Sequence, residues 1–160
     1  MTLWVISDTH FGHGALIGAG RDFASVKQMD ECIADNWNDS IGRTDTVFHL
    51  GDVYQGDGWQ ILKGLNGHKK LILGNHDDPR DAHLTDVFTS ISLWEVFEDA
   101  KVALTHLPMD LSDETGLGLR FQRNIHGHLH HRPAPTSRHV CLSVEQTGYR
   151  PVGLEKLFEA

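Results

Sequence analysis

Cysteine is scarce. The chain's 160 residues include two, Cys32 and Cys141, each alone and far from the other. That excludes a disulfide framework or a cysteine zinc cluster, and both read as buried thiols in a reducing, cytoplasmic setting. Long apolar runs are absent: no segment approaches the roughly 20 residues a membrane span needs. The opening Met1-Thr2-Leu3-Trp4-Val5-Ile6 lacks a basic flank and a long apolar core, so it reads as a strand and not as a signal peptide. Positive charge is short as well. Lys and Arg total 14 against 22 Asp and Glu, a net charge of −8 with histidine neutral. A broad electrostatic grip on long nucleic acid needs clustered Lys and Arg, so that partner is disfavoured. No repeat, linker or low-complexity stretch interrupts the chain, and residues 1–160 read as one domain with a real core. Histidine is the outlier in the other direction, with 12 in the chain.

The richest stretch is Leu71-Ile72-Leu73-Gly74-Asn75-His76-Asp77-Asp78. Its apolar run reads as a buried strand, and Gly74 as the sharp turn at its end. In α/β sheets, ligands bind at the carboxyl ends of strands. The same pattern recurs along the chain. Residues 2–7 read as a buried strand ending in Asp8-Thr9-His10, and in extended geometry Asp8 and His10 share a face. Residues 46–50 end in Gly51-Asp52, residues 101–105 in His106, and residues 121–125 in His126-Gly127-His128-Leu129-His130-His131.

Between these lie helical signals. Ser25 and Gln28 make a capping box for a helix with Val26, Met29, Ile33 and Trp37 at helical spacing, closed by Gly42. Asp57 suits the cap of a short helix carrying Ile61, Leu62 and Leu65, and Asn66-Gly67 a turn. A helical turn is expected after Asp78-Pro79, mixed strand character over 87–97, and a turn at Glu98-Asp99. A mobile loop is expected over 110–119, a last strand over 139–144, and a short tail helix or strand over 154–158.

Asp8, His10, Asp52, Asn75, His106, His128 and His130 are all nitrogen or hard-oxygen ligand types. Such donors suit Mn, Fe, Ni, Co or Zn and not an iron–sulfur centre. The set exceeds what one tetrahedral ion takes, and fits two ions if one carboxylate bridges. In an extended chain His128 and His130 would point the same way, about 6.5–7 Å apart. Paired hydrolytic metals sit about 3.5–4 Å apart, so each ring would reach its own ion. Two such ions against Asp8 and Asp52 leave a positive centre that attracts a phosphate ester.

The ordered blocks Asp8-Thr9-His10, Gly51-Asp52, Gly74-Asn75-His76-Asp77, His106 and Gly127-His128-Leu129-His130 resemble the calcineurin-like metallophosphoesterases. The layout is similar to their small single-domain bacterial and phage members. The runs Leu142-Ser143-Val144-Glu145 and Thr147-Gly148-Tyr149-Arg150-Pro151 resemble the family's C-terminal tail. The resemblance implies an α/β fold, a four-layer α-β-β-α sandwich of two mixed sheets. It implies two divalent ions, manganese first, with Fe, Ni, Co or Zn as alternatives. Asp8, His10, Asp52 and His130 would hold one ion, and Asp52, Asn75, His106 and His128 the other, with Asp52 shared. A hydroxide bridging the ions would attack phosphorus, His76 would protonate the leaving oxygen, and Asp77 would orient His76. A phosphodiester or small nucleotide is the implied substrate. A phosphomonoesterase of proteins or small molecules, or a non-catalytic binding scaffold, is the alternative. A separate reading sets residues 126–131 against the His-x-His-x-Asp-His block of metallo-β-lactamase-like hydrolases. There His130 takes the Asp position, and Gly-Asn-His-Asp is left without a role.

Further candidates carry weaker signals. Arg21 and His13 are candidate substrate contacts, with Arg120 and Arg123 behind them. His49 reads as a hydrogen-bonded core residue, His126 as support for the metal ligands, and His131 as pointing away from them. His68, His83 and His139 read as surface or loop residues, and Trp37 as core. Trp59 and Trp94 stay open.

Overall fold

The computed structural model describes residues 1–114 and 116–158. In chain order its strands are β1 (Leu3–Ile6), β2 (Thr46–His49), β3 (His68–Ile72), β4 (Ser90–Ser92), β5 (Trp94–Phe97), β6 (Val102–Thr105), β7 (Arg123–His126), β8 (His139–Cys141) and β9 (Val152–Gly153). The helices are α1 (Val26–Ser40), α2 (Trp59–Leu62), α3 (Ala82–Val87), α4 (Leu117–Arg120) and α5 (Glu155–Phe158). The first sheet has the order β4-β3-β2-β1-β9, the second β5-β6-β7-β8. Strands β1 to β4 run parallel and β9 closes that sheet antiparallel to β1. In the second sheet β6, β7 and β8 are parallel and β5 is antiparallel. Both sheets are therefore mixed, as expected.

Alternation along the strands makes the layers. Ile6, Val47 and Leu71 face the helices and pack with Met29, Ile33 and Trp37 of α1, Leu62 of α2 and Leu84 of α3. Their neighbours Val5, Phe48 and Ile72 face the other way, onto Val102, Leu104 and Ile125 of the second sheet and Leu142 just after β8. Each such fully buried apolar side chain contributes about 1.5–3 kcal/mol. The outer face of the second sheet is covered more thinly, by Leu111 and Phe121 over Ala103. A bridge between Ser7 and Ser143 joins the two sheets at one edge.

Local signals account for most element ends. The Ser25 side chain accepts from the Gln28 N–H at 3.2 Å, while the Gln28 side chain reaches back to the Ala24 N–H at 2.8 Å. The box thus closes one residue earlier than its standard form. Asp57 does not cap α2; it lies inside a short 3-10 turn, and Gly58 precedes the helix. Asp81 caps α3, accepting from the His83 N–H at 2.9 Å. The mixed signal over 87–97 has a physical cause: the chain leaves the first sheet at Ser92 and enters the second at Trp94. The loop expected over 110–119 includes part of α4, and Arg138 donates to the carbonyls of Leu111 and Gly118 at 2.7 and 2.5 Å. Thr115, within it, lies outside the described residues. The tail is helical over α5, preceded by the short β9. Among the described residues no helix is long and apolar enough to cross a membrane.

Candidate metal centre

Strands β1, β2, β3, β6 and β7 all release their polar residues at one end of the sandwich. Two groups of side chains converge there: Asp8, His10 and His130, and Asp52, His106 and His128. Within each group the ligand atoms lie within 4.8 Å of one another. Asp52 stands between the groups. Its Oδ2 is 3.6 Å from His10 Nε2 and 3.5 Å from His106 Nε2. Those gaps are too long for good hydrogen bonds. They match the separation of about 3.0–3.6 Å between two donors that each sit about 2.0–2.2 Å from a shared ion. Asn75 Oδ1 lies 2.8 Å from His106 Nε2 and joins the second group.

The chain reaches this geometry by turning left-handed, not by running extended. Asp8, His10, Asp52, His128 and His130 have φ of 57°, 48°, 58°, 68° and 52°. For non-glycine residues such positions cost of order 1–3 kcal/mol each and concentrate at functional sites. The extended reading of Asp8/His10 and of His128/His130 is thereby corrected. The two histidines of the late block fall into different groups, with Leu129 N–H closing a tight turn onto Gly127 O at 2.8 Å. Two glycines make the approach possible. A Cβ on Gly127 would sit 1.9 Å from Ser7 Oγ and 2.5 Å from Asp8 Oδ2. One on Gly74 would sit 2.2 Å from Asp52 Oδ1. Gly74 is thus needed for close approach to the carboxylate; its φ is not in the left-handed range.

Outer contacts orient the rings. Leu50 O can only accept, so His106 Nδ1 donates to it at 2.7 Å and Nε2 is left with its lone pair facing Asn75 Oδ1. Two acceptors pointed at one another are what a cation between them would satisfy. His130 Nδ1 donates to Glu145 Oε1 at 2.8 Å, which again frees Nε2 for the centre. His10 Nδ1 meets His13 Nδ1 at 3.2 Å, and His10 Nε2 is buried without a hydrogen-bond partner. Imidazoles that commit one nitrogen to an outer acceptor and aim the other inward are characteristic of metal ligands. Asp8 accepts from His128 N–H at 2.9 Å and Ser143 Oγ at 2.9 Å. Beneath, His49 accepts from Gly51 N–H through Nδ1 at 3.1 Å, so its Nε2 donates to Thr9 Oγ1 at 2.9 Å. His49 is a hydrogen-bonded core residue, as read.

Electrostatics agree with the donor set. Burial, then the charge of Arg21, lowers His10 to about 2, so its ring is neutral. Burial also lowers His128 and raises Asp52. Two buried carboxylates stand among the imidazoles, and only His130 runs the other way, raised by its hydrogen bond to Glu145. The residues present fit a pair of divalent cations.

Other expected residues take different places. Asn75 and His76 are exposed, and the His76 ring centroid is 5.6 Å from that of His10. Asp77 is occupied elsewhere: it accepts from Gly74 N–H at 2.8 Å and from Asp52 and Val53 N–H at 2.9 Å each. It clamps two ligand loops together instead of orienting His76. Arg21 is buried and its guanidinium is spent on Glu145 and backbone carbonyls, so it is not a substrate contact. His13 is half-buried, its ring centroid 5.2 Å from His10 and 6.5 Å from His76, and stays at the mouth. His126 donates to Gly127 O at 2.8 Å and supports the late turn. His139 is buried in β8 between Thr136 and Met109 O, not on the surface. His83 stacks on Trp59 at 3.9 Å, Trp94 is half-exposed, and Trp37 is buried. His68 and His131 are exposed. Arg120 pairs with Glu98, and Arg123 donates to Leu157 O at 2.6 Å. The sequence reading gave Glu145 and Ser143 no part in the site. Both follow β8, and the rule that strand ends carry the chemistry applies to them as well.

Comparison with known proteins agrees. A calcineurin-like phosphoesterase superfamily domain matches residues 1–146. The Gene 66 protein of Mycobacterium phage L5 is 32% identical over 176 residues, spanning 86% of this chain and 81% of that protein. Uncharacterized protein MJ1445 of Methanocaldococcus jannaschii is 30% identical over 167 residues, spanning 96% and 87%. The crystal structure of the Aquifex aeolicus protein of unknown function AQ665 aligns with a TM-score of 0.76 at 26% identity, over 99% of this chain and 98% of that one. The metallo-β-lactamase-like reading falls away. The chain belongs to the calcineurin-like phosphoesterase superfamily.

Proposed function

We propose that this chain is a phosphoesterase that takes two divalent cations, manganese first, and hydrolyses phosphodiesters or small nucleotides. The observation that carries the reading is Asp52 Oδ2, set 3.6 and 3.5 Å from an imidazole nitrogen of each ligand group. Divalent cations bound there would supply Lewis acidity toward phosphoryl oxygens and acidify water.

The chain's own groups do the rest. Asp52 Oδ1 accepts from the His76 N–H at 2.9 Å, which ties the backbone of the acid to the shared carboxylate. His76, exposed on the rim, donates a proton to the leaving oxygen. His13 lies beside it and offers a ring N–H to an ester oxygen. The open rim admits a small ester, and the acidic balance works against a long polyanion.

The test is reconstitution of metal-free protein with each divalent ion, assayed on mono-, di- and cyclic phosphoesters. Two bound equivalents and manganese-dependent diester hydrolysis are expected. Binding of two equivalents with no hydrolysis of any ester would sink the catalytic reading.

A further inference from the structure

One buried side chain braces the first ligand group from behind, through the carbonyls of Asp8 and Thr9 and through Glu145. Arg21 is 1% exposed. Its Nη1 donates to Thr9 O at 2.8 Å, its Nη2 to Asp8 O, and its Nε to Glu145 Oε1 at 2.8 Å. The two carbonyls belong to the turn whose left-handed residues are Asp8 and His10. Reversal of the chain there turns successive carbonyls toward the guanidinium, which holds that conformation in place. The same Glu145 oxygen accepts from His130 Nδ1 at 2.8 Å. Asp8, His10 and His130 are thus linked through one planar fork: Asp8 by its own carbonyl, His10 by the carbonyl of Thr9 before it, and His130 through the Glu145 carboxylate. Burial opposes ionisation of Glu145, but the His130 hydrogen bond and the Arg21 charge outweigh it and leave its carboxyl lowered. In the second group the ring of His106 is oriented by a neutral partner, Leu50 O, and Asp77 holds Asp52 by its backbone, so Arg21 has no counterpart there among the described residues.

We propose that Arg21 is a positioning residue, acting with Glu145, that sets the cation affinity of the Asp8–His10–His130 group selectively. The inference rests on the two-cation reading above. Lysine at this position keeps the charge but cannot serve three acceptors at once in a fixed plane. Outer-sphere partners of metal ligands are worth about 10–100-fold in affinity.

The experiment titrates metal-free full-length protein with zinc, followed by calorimetry and by ring ¹H–¹⁵N NMR signals that read each histidine separately. Wild type is expected to take two equivalents. Arg21→Lys is expected to weaken one equivalent about 10–100-fold, with His10 and His130 signals lagging and His106 and His128 responding as in wild type. Glu145→Gln keeps an oxygen for His130 and removes the charge, so the same selective loss is expected, smaller in size. Leu62→Ala, a core cavity in α2, is the control for destabilisation alone and is expected to keep both affinities. Wild type taking a single equivalent overturns the two-cation reading and this inference with it. Two equivalents in wild type, with Arg21→Lys weakening both groups alike, neither, or no more than Leu62→Ala, overturns this inference alone.

Discussion

The floor of the site and its rim are built by opposite means. On the floor, Asp8, His10, Asp52 and His106 are each at most 3% exposed and are fixed by left-handed turns, backbone carbonyls and buried side chains. On the rim, Asn75 and His76 stand in solvent on one short loop, tethered by Asp77 beneath them. The contrast follows from what each part must hold. A cation needs several donors at fixed separations, so their strain is paid in advance by the fold. In the proposed reaction an incoming ester needs access, so the proposed acid His76 stays exposed and is hydrogen-bonded to the floor through its backbone N–H.

The sharpest way to break this contrast is Asp52→Ala. It removes the one carboxylate shared by both groups, so both cations and all turnover are expected to be lost together, by elemental analysis and assay. Retention of one full equivalent would show that one group holds its ion without the shared carboxylate. His76→Ala attacks the rim only. Turnover should fall about 10²–10⁴-fold with metal content unchanged, and most on esters with poor leaving groups. Equal rates on such esters would remove His76 from the acid role. Asp77→Ala tests the tether between rim and floor. It strands three backbone N–H donors, a cost of about 3 kcal/mol, or about 6–12 °C in melting temperature.

A last test lies under the floor and reads it through pH, gradually along the acid limb. His49 is fully buried, and burial lowers it to about 3 from its ordinary 6.5. Below pH 6.5 the unfolded chain takes up the proton and the folded chain does not. Its contribution is therefore complete above pH 6.5 and is lost as pH falls toward 3, at about 1.4 kcal/mol per pH unit. In denaturant titrations of metal-free protein, the stability difference between wild type and His49→Gln should shrink along that limb. A constant difference would mean that His49 takes up its proton in the folded state as well.

Much of the fold could be read from residue order because its causes are local or periodic. Ser25 with Gln28, the Met29–Ile33–Trp37 stripe and the apolar runs before each polar block act within a few residues of themselves. The site's membership was legible for a related reason: each ligand type follows a strand, and parallel strands deliver their carboxyl ends to one place. What stayed hidden was partnership across long separations. Arg21 meets Glu145 across 124 positions, and Asp77 meets Asp52 and Val53 across 25 and 24. In sequence, a buried arginine strut and a solvated loop charge are the same letter.

The sequence by itself determined which donors exist, that they end strands, and that the family's blocks stand in order. Tertiary structure decided which donor joins which group, the left-handed backbone of five ligand residues, and the conversion of Arg21 and Asp77 from expected chemistry to support. The reason is physical. Hydrophobic periodicity is written into neighbouring residues, whereas a strained turn persists only when distant groups hydrogen-bond to it, and those groups meet only after the sheets have packed.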